Sequence, residues 1–318
     1  MNFRKIGLTL FILLAAVSVG SVIAIRNGAL NPTDDYLKQR FTDARSKFIT
    51  VDGVPFHVVE EGRGPVIILI HGHLGSNRQW DGWADNLRKD FRVVRFDYPP
   101  FGISGPDPIG QYGSSRVYPF IVKLIDELGY QRFHIGGTSS GSILALRYAA
   151  DHPERVDKLM LSTVPAYAPG DRLPPPWKFA AVMWFSDNVL QVWRPQLYWQ
   201  LFMENIFGND DRVTPNMVAD YAALNNRLGS IGNVRSFIMA NARSTFDVAG
   251  AAARITRPIL IQWAGKSPVL TTAGLERVAP MFTGADVTII EYPDLGHKLM
   301  LEDPERTVAD TRAFLLGE

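Results

Sequence analysis

Cysteine is absent from all 318 residues. That excludes disulfides, thiolate metal sites and a cysteine nucleophile, but leaves the compartment open, since a cysteine-free chain survives in either redox state. An excess of one charge sign is absent too. Lys and Arg number 33 against 32 Asp and Glu, a formal net charge of +1, and no basic run stands out. Nucleic-acid binding needs basic patches that meet phosphate, so no nucleic-acid partner is expected. No strand-G-x-G-x-x-G-helix fingerprint and no P-loop occurs, so no cofactor is implied. Internal repeats and low-complexity tracts are missing as well. What remains is 46% hydrophobic and 20% charged, the balance of a folded chain long enough to bury a large core.

The N-terminus differs in kind from the rest. Ile6 to Ile25 contain no charged residue, and Arg4 and Lys5 precede them. Twenty helical residues span about 30 Å, roughly the hydrocarbon thickness of a bilayer. With the basic flank, this predicts an uncleaved anchor through residues 6–25 and a soluble domain on the extracytoplasmic side. The alternative is a cleaved secretory signal and a secreted protein, with Val17-Ser18-Val19-Gly20-Ser21 as the small-residue site. The apolar run continuing to Ile25 favours the anchor.

Beyond a polar stretch around Asn31-Pro32-Thr33-Asp34-Asp35, hydrophobic alternation begins. Phe48 to Val51, a turn at Asp52-Gly53, and Pro55 to Val59 predict a hairpin. Val66-Ile67-Ile68-Leu69-Ile70 is apolar throughout, as in a parallel strand covered on both faces. Similar strands are predicted at Phe91–Phe96, Arg132–Ile135, Lys158–Ser162, Ile259–Trp263 and Val287–Tyr292. Helical patterns fall between them at Val117–Leu128, Ser140–Asp151, Ala273–Ala279 and Pro304–Leu316. This alternation predicts an α/β fold: a mostly parallel twisted sheet with helices on both faces. Ala166 to Phe246 breaks the rhythm with Pro174-Pro175-Pro176 and many aromatics, and predicts a helical insertion. Most of those aromatics serve packing, and a few are expected to line an apolar pocket.

Three motifs carry chemistry. Gly137-Thr138-Ser139-Ser140-Gly141 follows a strand and opens a helix. A tight strand-to-helix turn strains its central residue, needs small neighbours and lifts the central hydroxyl clear of the sheet. Ser139 has glycines two residues before and after it, and Ser140 does not. His71-Gly72-His73-Leu74-Gly75-Ser76 follows the strand ending at Ile70, where a glycine-rich turn aims an amide at a developing oxyanion. The expected oxyanion hole is the amides of His73 and Ser140. A metal at His71 and His73 would need further ligands, and the neighbouring residues supply none. Asp294-Leu295-Gly296-His297 places a histidine in a loop beyond the last strand, within reach of the nucleophile's edge. Of the six histidines, His134 lies within a strand and His152 ends a helix, both structural placements, and His297 is the expected base.

In this order the motifs resemble the α/β-hydrolase family, from about Phe48 to the C-terminus. Asp97-Tyr98-Pro99-Pro100-Phe101-Gly102-Ile103-Ser104 is similar to the family's D-x-P-G-x-G-x-S loop, with Pro100 in place of glycine. Asp151-His152-Pro153-Glu154-Arg155-Val156 and Glu302-Asp303-Pro304-Glu305 also match. The resemblance implies a nucleophile at Ser139, a general base at His297 and a helical cap. The expected organisation is then residues 1–26 anchor or signal, 27–46 tether, 47–165 and 247–318 hydrolase core, and 166–246 cap.

One departure stands against these matches. Where the family carries its triad acid, Pro258 to Pro268 places Ser267. Asp294, Glu291 or Asp247 could replace the missing carboxylate, Ser267 or a water could orient the ring weakly, or turnover could have been lost. The resemblance implies an esterase- or lipase-like serine hydrolase acting on a small apolar ester. The alternative is a catalytically impaired binding protein on the same fold.

Overall fold

The computed structural model describes residues 3–165 and 173–318, with side chains of the first helix described at Phe11 and from Leu14 onward. The expected start of the insertion at Ala166 lies outside the described residues.

Eight strands form one sheet: β1 (Ser46–Val51), β2 (Val54–Gly62), β3 (Val66–Ile70), β4 (Arg92–Phe96), β5 (Phe133–Thr138), β6 (Val156–Ser162), β7 (Ile259–Ala264) and β8 (Val287–Tyr292). Their order is β1-β2-β4-β3-β5-β6-β7-β8. The first hairpin and the β2–β4 pair are antiparallel, and every later pair is parallel. Side chains alternate across a strand, so the all-apolar run of β3 must be covered twice. It is: Ile68 and Ile70 join the larger core cluster on one face, and Ile67 and Leu69 the smaller on the other. Both sets are fully buried.

The helices supply those covers. They are α1 (Phe3–Arg26), α2 (Asp34–Phe41), α3 (Asp81–Leu87), α4 (Ser114–Glu127), α5 (Ser140–Asp151), α6 (Trp177–Phe185), α7 (Gln196–Ile206), α8 (Pro215–Asn225), α9 (Ser230–Ala242), α10 (Val248–Ala253), α11 (Thr272–Val278), α12 (Leu299–Glu302) and α13 (Pro304–Leu316). Leu144 and Leu146 of α5 pack in the larger cluster, whereas Trp83 of α3 and Val308 of α13 pack in the smaller. Between β6 and β7 the described chain is helical from α6 to α10 and contains no strand.

The stretch expected to anchor the chain forms α1, whose C-terminal Arg26 donates through Nε to the Val189 carbonyl at 2.8 Å. Among the described residues no helix is long and apolar enough to cross a membrane. The spanning segment expected at residues 6–25 is therefore not borne out by the fold.

Candidate active site

Ser139 sits where β5 ends and α5 begins, with φ +52° and ψ −124°. A non-glycine residue at such a positive φ is strained and persists only where its surroundings hold it. The flanking glycines explain how. A Cβ on Gly137 would sit 2.3 Å from the Gly141 carbonyl oxygen, and one on Gly141 would sit 2.3 Å from that of His71. The turn closes only with hydrogen at both positions. Ser142 then locks it, its hydroxyl donating to the carbonyls of Gly137 and Ser162 at 2.9 Å each.

His297 lies in the loop after β8, and its Nε2 is 3.1 Å from Ser139 Oγ. The two residues stand 158 positions apart, and both are buried to 5% exposure. Several groups hold the loop. The His297 amide donates to the Ile206 carbonyl at the end of α7 at 2.7 Å. The buried carboxylate of Glu302 accepts the amides of Gly208 and Gly296, both at 2.8 Å. Burial raises the Glu302 carboxyl, with those two amides opposing the rise.

On the far side of the ring, His297 Nδ1 is 3.1 Å from Ser267 Oγ. The site thus brings Ser139, His297 and Ser267 into one line. The three carboxylates considered as substitutes are elsewhere. Asp294 is exposed and paired with Arg306 at 2.8 Å, because it follows β8 on the solvent side of the loop. Asp247 caps α10 by accepting the Gly250 amide. Glu291 is exposed on β8, in register with Trp263. None hydrogen-bonds His297.

The 71–76 loop, where the oxyanion hole is expected, follows β3. Ser140 opens α5, so its amide belongs to the first turn, whose donors the helix itself leaves without partners. Its hydroxyl lies 3.0 Å from Tyr98 Oη. Leu74 adopts φ +57°, and Gly75 donates to Gly72 at 3.0 Å, which curls the loop tightly. His71 lies behind it, fully buried. Its Nδ1 is 2.8 Å from the Gly72 carbonyl, and its Nε2 accepts the Tyr98 amide at 3.2 Å. Burial drives its pKa down to about 4, so the ring is neutral at pH 7. Among the described residues no cluster of three or more His, Asp or Glu could hold a metal.

An aromatic wall rises over the loop. Phe237 of α9 stacks near His73 with ring centres 5.9 Å apart and meets Phe101 edge-on at 5.1 Å. The remaining histidines are structural. His57 bridges Asp97 and Ser46 at 3.1 and 3.0 Å, His134 lies in β5, and His152 caps α5.

Sequence reasoning missed three side chains. Lys298, beside His297, is buried to 2% exposure and donates to the His73 carbonyl at 3.3 Å. Asn225 of α8 donates to the Leu74 carbonyl at 3.1 Å, and Gln79 accepts the Gly72 amide at 3.3 Å. Only Lys298 left a signal, a lysine set directly before the apolar Leu299-Met300-Leu301.

The chain matches the α/β hydrolase fold over residues 65–304 and belongs to that family. It is similar to a pyrrolizixenacetamide deacetylase of Xenorhabdus hominickii, 25% identical over 81% of this chain and 93% of the relative. It is also similar to the dihydrolipoyllysine-residue acetyltransferase component of the acetoin cleaving system of Cupriavidus necator, 25% identical over 85% and 69%. Two further curated relatives are matched over only 49% and 65% of their own length. Among solved structures, a bacterial membrane phospholipase A superposes with a TM-score of 0.73 at 24% identity, over 98% of each chain, a likeness of fold.

Proposed function

We propose that the protein is a serine hydrolase that cleaves a carboxylic ester or similar acyl bond of a small apolar molecule. The observation that carries this reading is the 3.1 Å approach of His297 Nε2 to Ser139 Oγ on a strained turn. His297 takes the hydroxyl proton as Ser139 attacks the carbonyl carbon, and returns it to the leaving alcohol. Water, activated by the same ring, then frees the acid from the acyl-enzyme. The amides of His73 and Ser140 are the proposed oxyanion donors, each worth about 3 kcal/mol where such donors were removed in other enzymes. Tyr98, Phe101 and Phe237 favour an apolar acyl group, and the inserted helices act as the cap that excludes water. The relatives named as a deacetylase and a pimeloyl-[acyl-carrier protein] methyl ester esterase support acyl chemistry.

The test is hydrolysis of p-nitrophenyl butyrate by the full chain in mild detergent, with Ser139→Ala as control. Turnover lost in the variant supports the reading. Equal rates in both proteins favour the second reading, an impaired binding protein, which the neutral Ser267 at the acid position supports.

For location, the proposal is membrane association through the first helix. Its support is the uncharged Ile6–Ile25 run and the exposure of Phe11, Leu14, Val17, Val19 and Ile23. Release of the protein into the supernatant by a carbonate wash of membranes would refute it.

A further inference from the structure

A buried cation stands in the proposed site without a carboxylate beside it. Lys298 is 2% exposed, and no Asp or Glu among the described residues pairs with its ammonium. Among the described residues its ammonium makes one hydrogen bond, to the His73 carbonyl at 3.3 Å. A charge buried this way destabilises a fold, and a methionine of similar length would pack at no such cost. Its position argues for a use. A Cβ built on Gly72 would lie 3.2 Å from Ser139 Cβ and 3.3 Å from Lys298 Nζ. The ammonium and the nucleophile therefore face one side of the oxyanion loop.

We propose that Lys298 is a positioning residue of the hydrolase: its ammonium pins the His73 carbonyl, fixes the 71–76 loop, and sets a positive charge beside the developing oxyanion. This rests on the serine-hydrolase reading above. The side chain at His297 Nδ1 is the neutral hydroxyl of Ser267. A cation that favours the oxyanion lowers the barrier from the other end of the transferred charge. The loop needs such a fastener because Leu74 is held at φ +57°.

The surroundings set a pH signature. Burial brings the Lys298 ammonium down to about 7. The titratable groups around it are His71, which feels its charge, His73 on the same loop, His297 next to it in the chain and Glu302 four residues on. His71 is neutral at this pH, and the Glu302 oxygens are taken by backbone amides. The cationic form is present below pH 7 and disappears above it, whereas the base His297 must be neutral. Activity then falls on the alkaline side as Lys298 loses its proton.

The test compares wild type, Ser139→Ala, Lys298→Met and Lys298→Arg on p-nitrophenyl butyrate across pH 5.5 to 9.5, with a melting temperature for each. Lys298→Met is expected to lower kcat by about 30-fold with KM within about twofold, to lose the alkaline limb, and to melt no lower than wild type. Lys298→Arg, which keeps its charge at all these pH values, is expected to regain much of kcat and carry it to higher pH. A Lys298→Met enzyme with wild-type kcat and pH profile overturns the inference while leaving the Ser139 reading intact. So does a kcat loss that tracks a fall in melting temperature in both lysine variants. Equal rates for wild type and Ser139→Ala overturn the underlying reading, and the inference with it.

Discussion

Ser267 Oγ lies 3.1 Å from His297 Nδ1 while also accepting the backbone amides of Val269 and Leu270 at 3.3 and 3.1 Å. A hydroxyl has two lone pairs and one hydrogen. With both amides on the oxygen, the hydrogen is directed at Nδ1. That arrangement favours the tautomer with its proton on Nε2, the nitrogen that should receive the proton of Ser139. A carboxylate at the same place can only accept, and so would hold the proton on Nδ1.

Ser267→Asp is therefore expected to raise kcat/KM on p-nitrophenyl esters by about 100-fold or more, since loss of the acid in a serine protease costs about 10⁴-fold. The two amides at this position are already placed to receive a carboxylate oxygen. The same change should move the acid limb of the pH profile upward, because a neighbouring negative charge favours imidazolium. A gain below about threefold would show that His297 is already held in its working tautomer.

His71 sets a second expectation, for stability. Its pKa is about 4 in the fold against 6.5 in an open chain. Between these values the unfolded chain binds a proton that the folded chain refuses. The unfolded state is therefore favoured as pH falls from 6.5 to 4, and stability rises with pH across that window. The full effect is about 3 kcal/mol. Chemical denaturation at pH 7.5, 5.5 and 4.5 should show it, and His71→Asn should flatten the slope while lowering stability at neutral pH.

Much of this was legible in the sequence, for physical reasons that differ by element. Strand β3 and helix α5 were visible because burial on two faces demands an unbroken apolar run, and because the strained turn before α5 demands glycine at 137 and 141. The boundaries of β8 and of α13 also agree with expectation. Helix α3 and the short α12 were not visible, being one or two turns with no full apolar period to display. At the site, Ser139 and His297 were legible from local motifs. The placement of Lys298 was not, because its partner is a carbonyl 225 residues away in the chain. Asn225 and Gln79 were hidden for the same reason, as polar side chains whose partners are backbone atoms. The missing carboxylate was legible as an absence at Ser267, but where Asp294 and Asp247 point is decided by Arg306 and by the first turn of α10.

Gly141 offers a direct test of the turn. A methyl group there would meet the His71 and Ile70 carbonyl oxygens at 2.3 and 2.4 Å, both rigid backbone. Gly141→Ala should cost about 2–3 kcal/mol, as overpacking does. It should also push α5 away from β3, and with it the Ser140 amide. Thermal unfolding reports the first effect and fluorophosphonate labelling of Ser139 the second. Gly129→Ala, where no atom lies within 4 Å of the added carbon, is the control for added bulk, its φ of +76° still carrying backbone strain.

Asn225 of α8 joins the helices between β6 and β7 to the 71–76 loop, and this link separates loop geometry from loop charge. Its Nδ2 donates to the Leu74 carbonyl at 3.1 Å and to the Tyr221 carbonyl at 3.0 Å. A neutral hydrogen bond of this kind contributes about 1 kcal/mol. Asn225→Ala should therefore lower stability by about that amount and kcat by about fivefold, since Leu74 at φ +57° relaxes toward a commoner conformation once released. Unlike the lysine beside His297, asparagine does not titrate. The variant should keep both limbs of the pH–rate profile unchanged while the whole curve drops. A displaced alkaline limb in Asn225→Ala would mean that loop geometry, rather than the charge on Lys298, sets that limb.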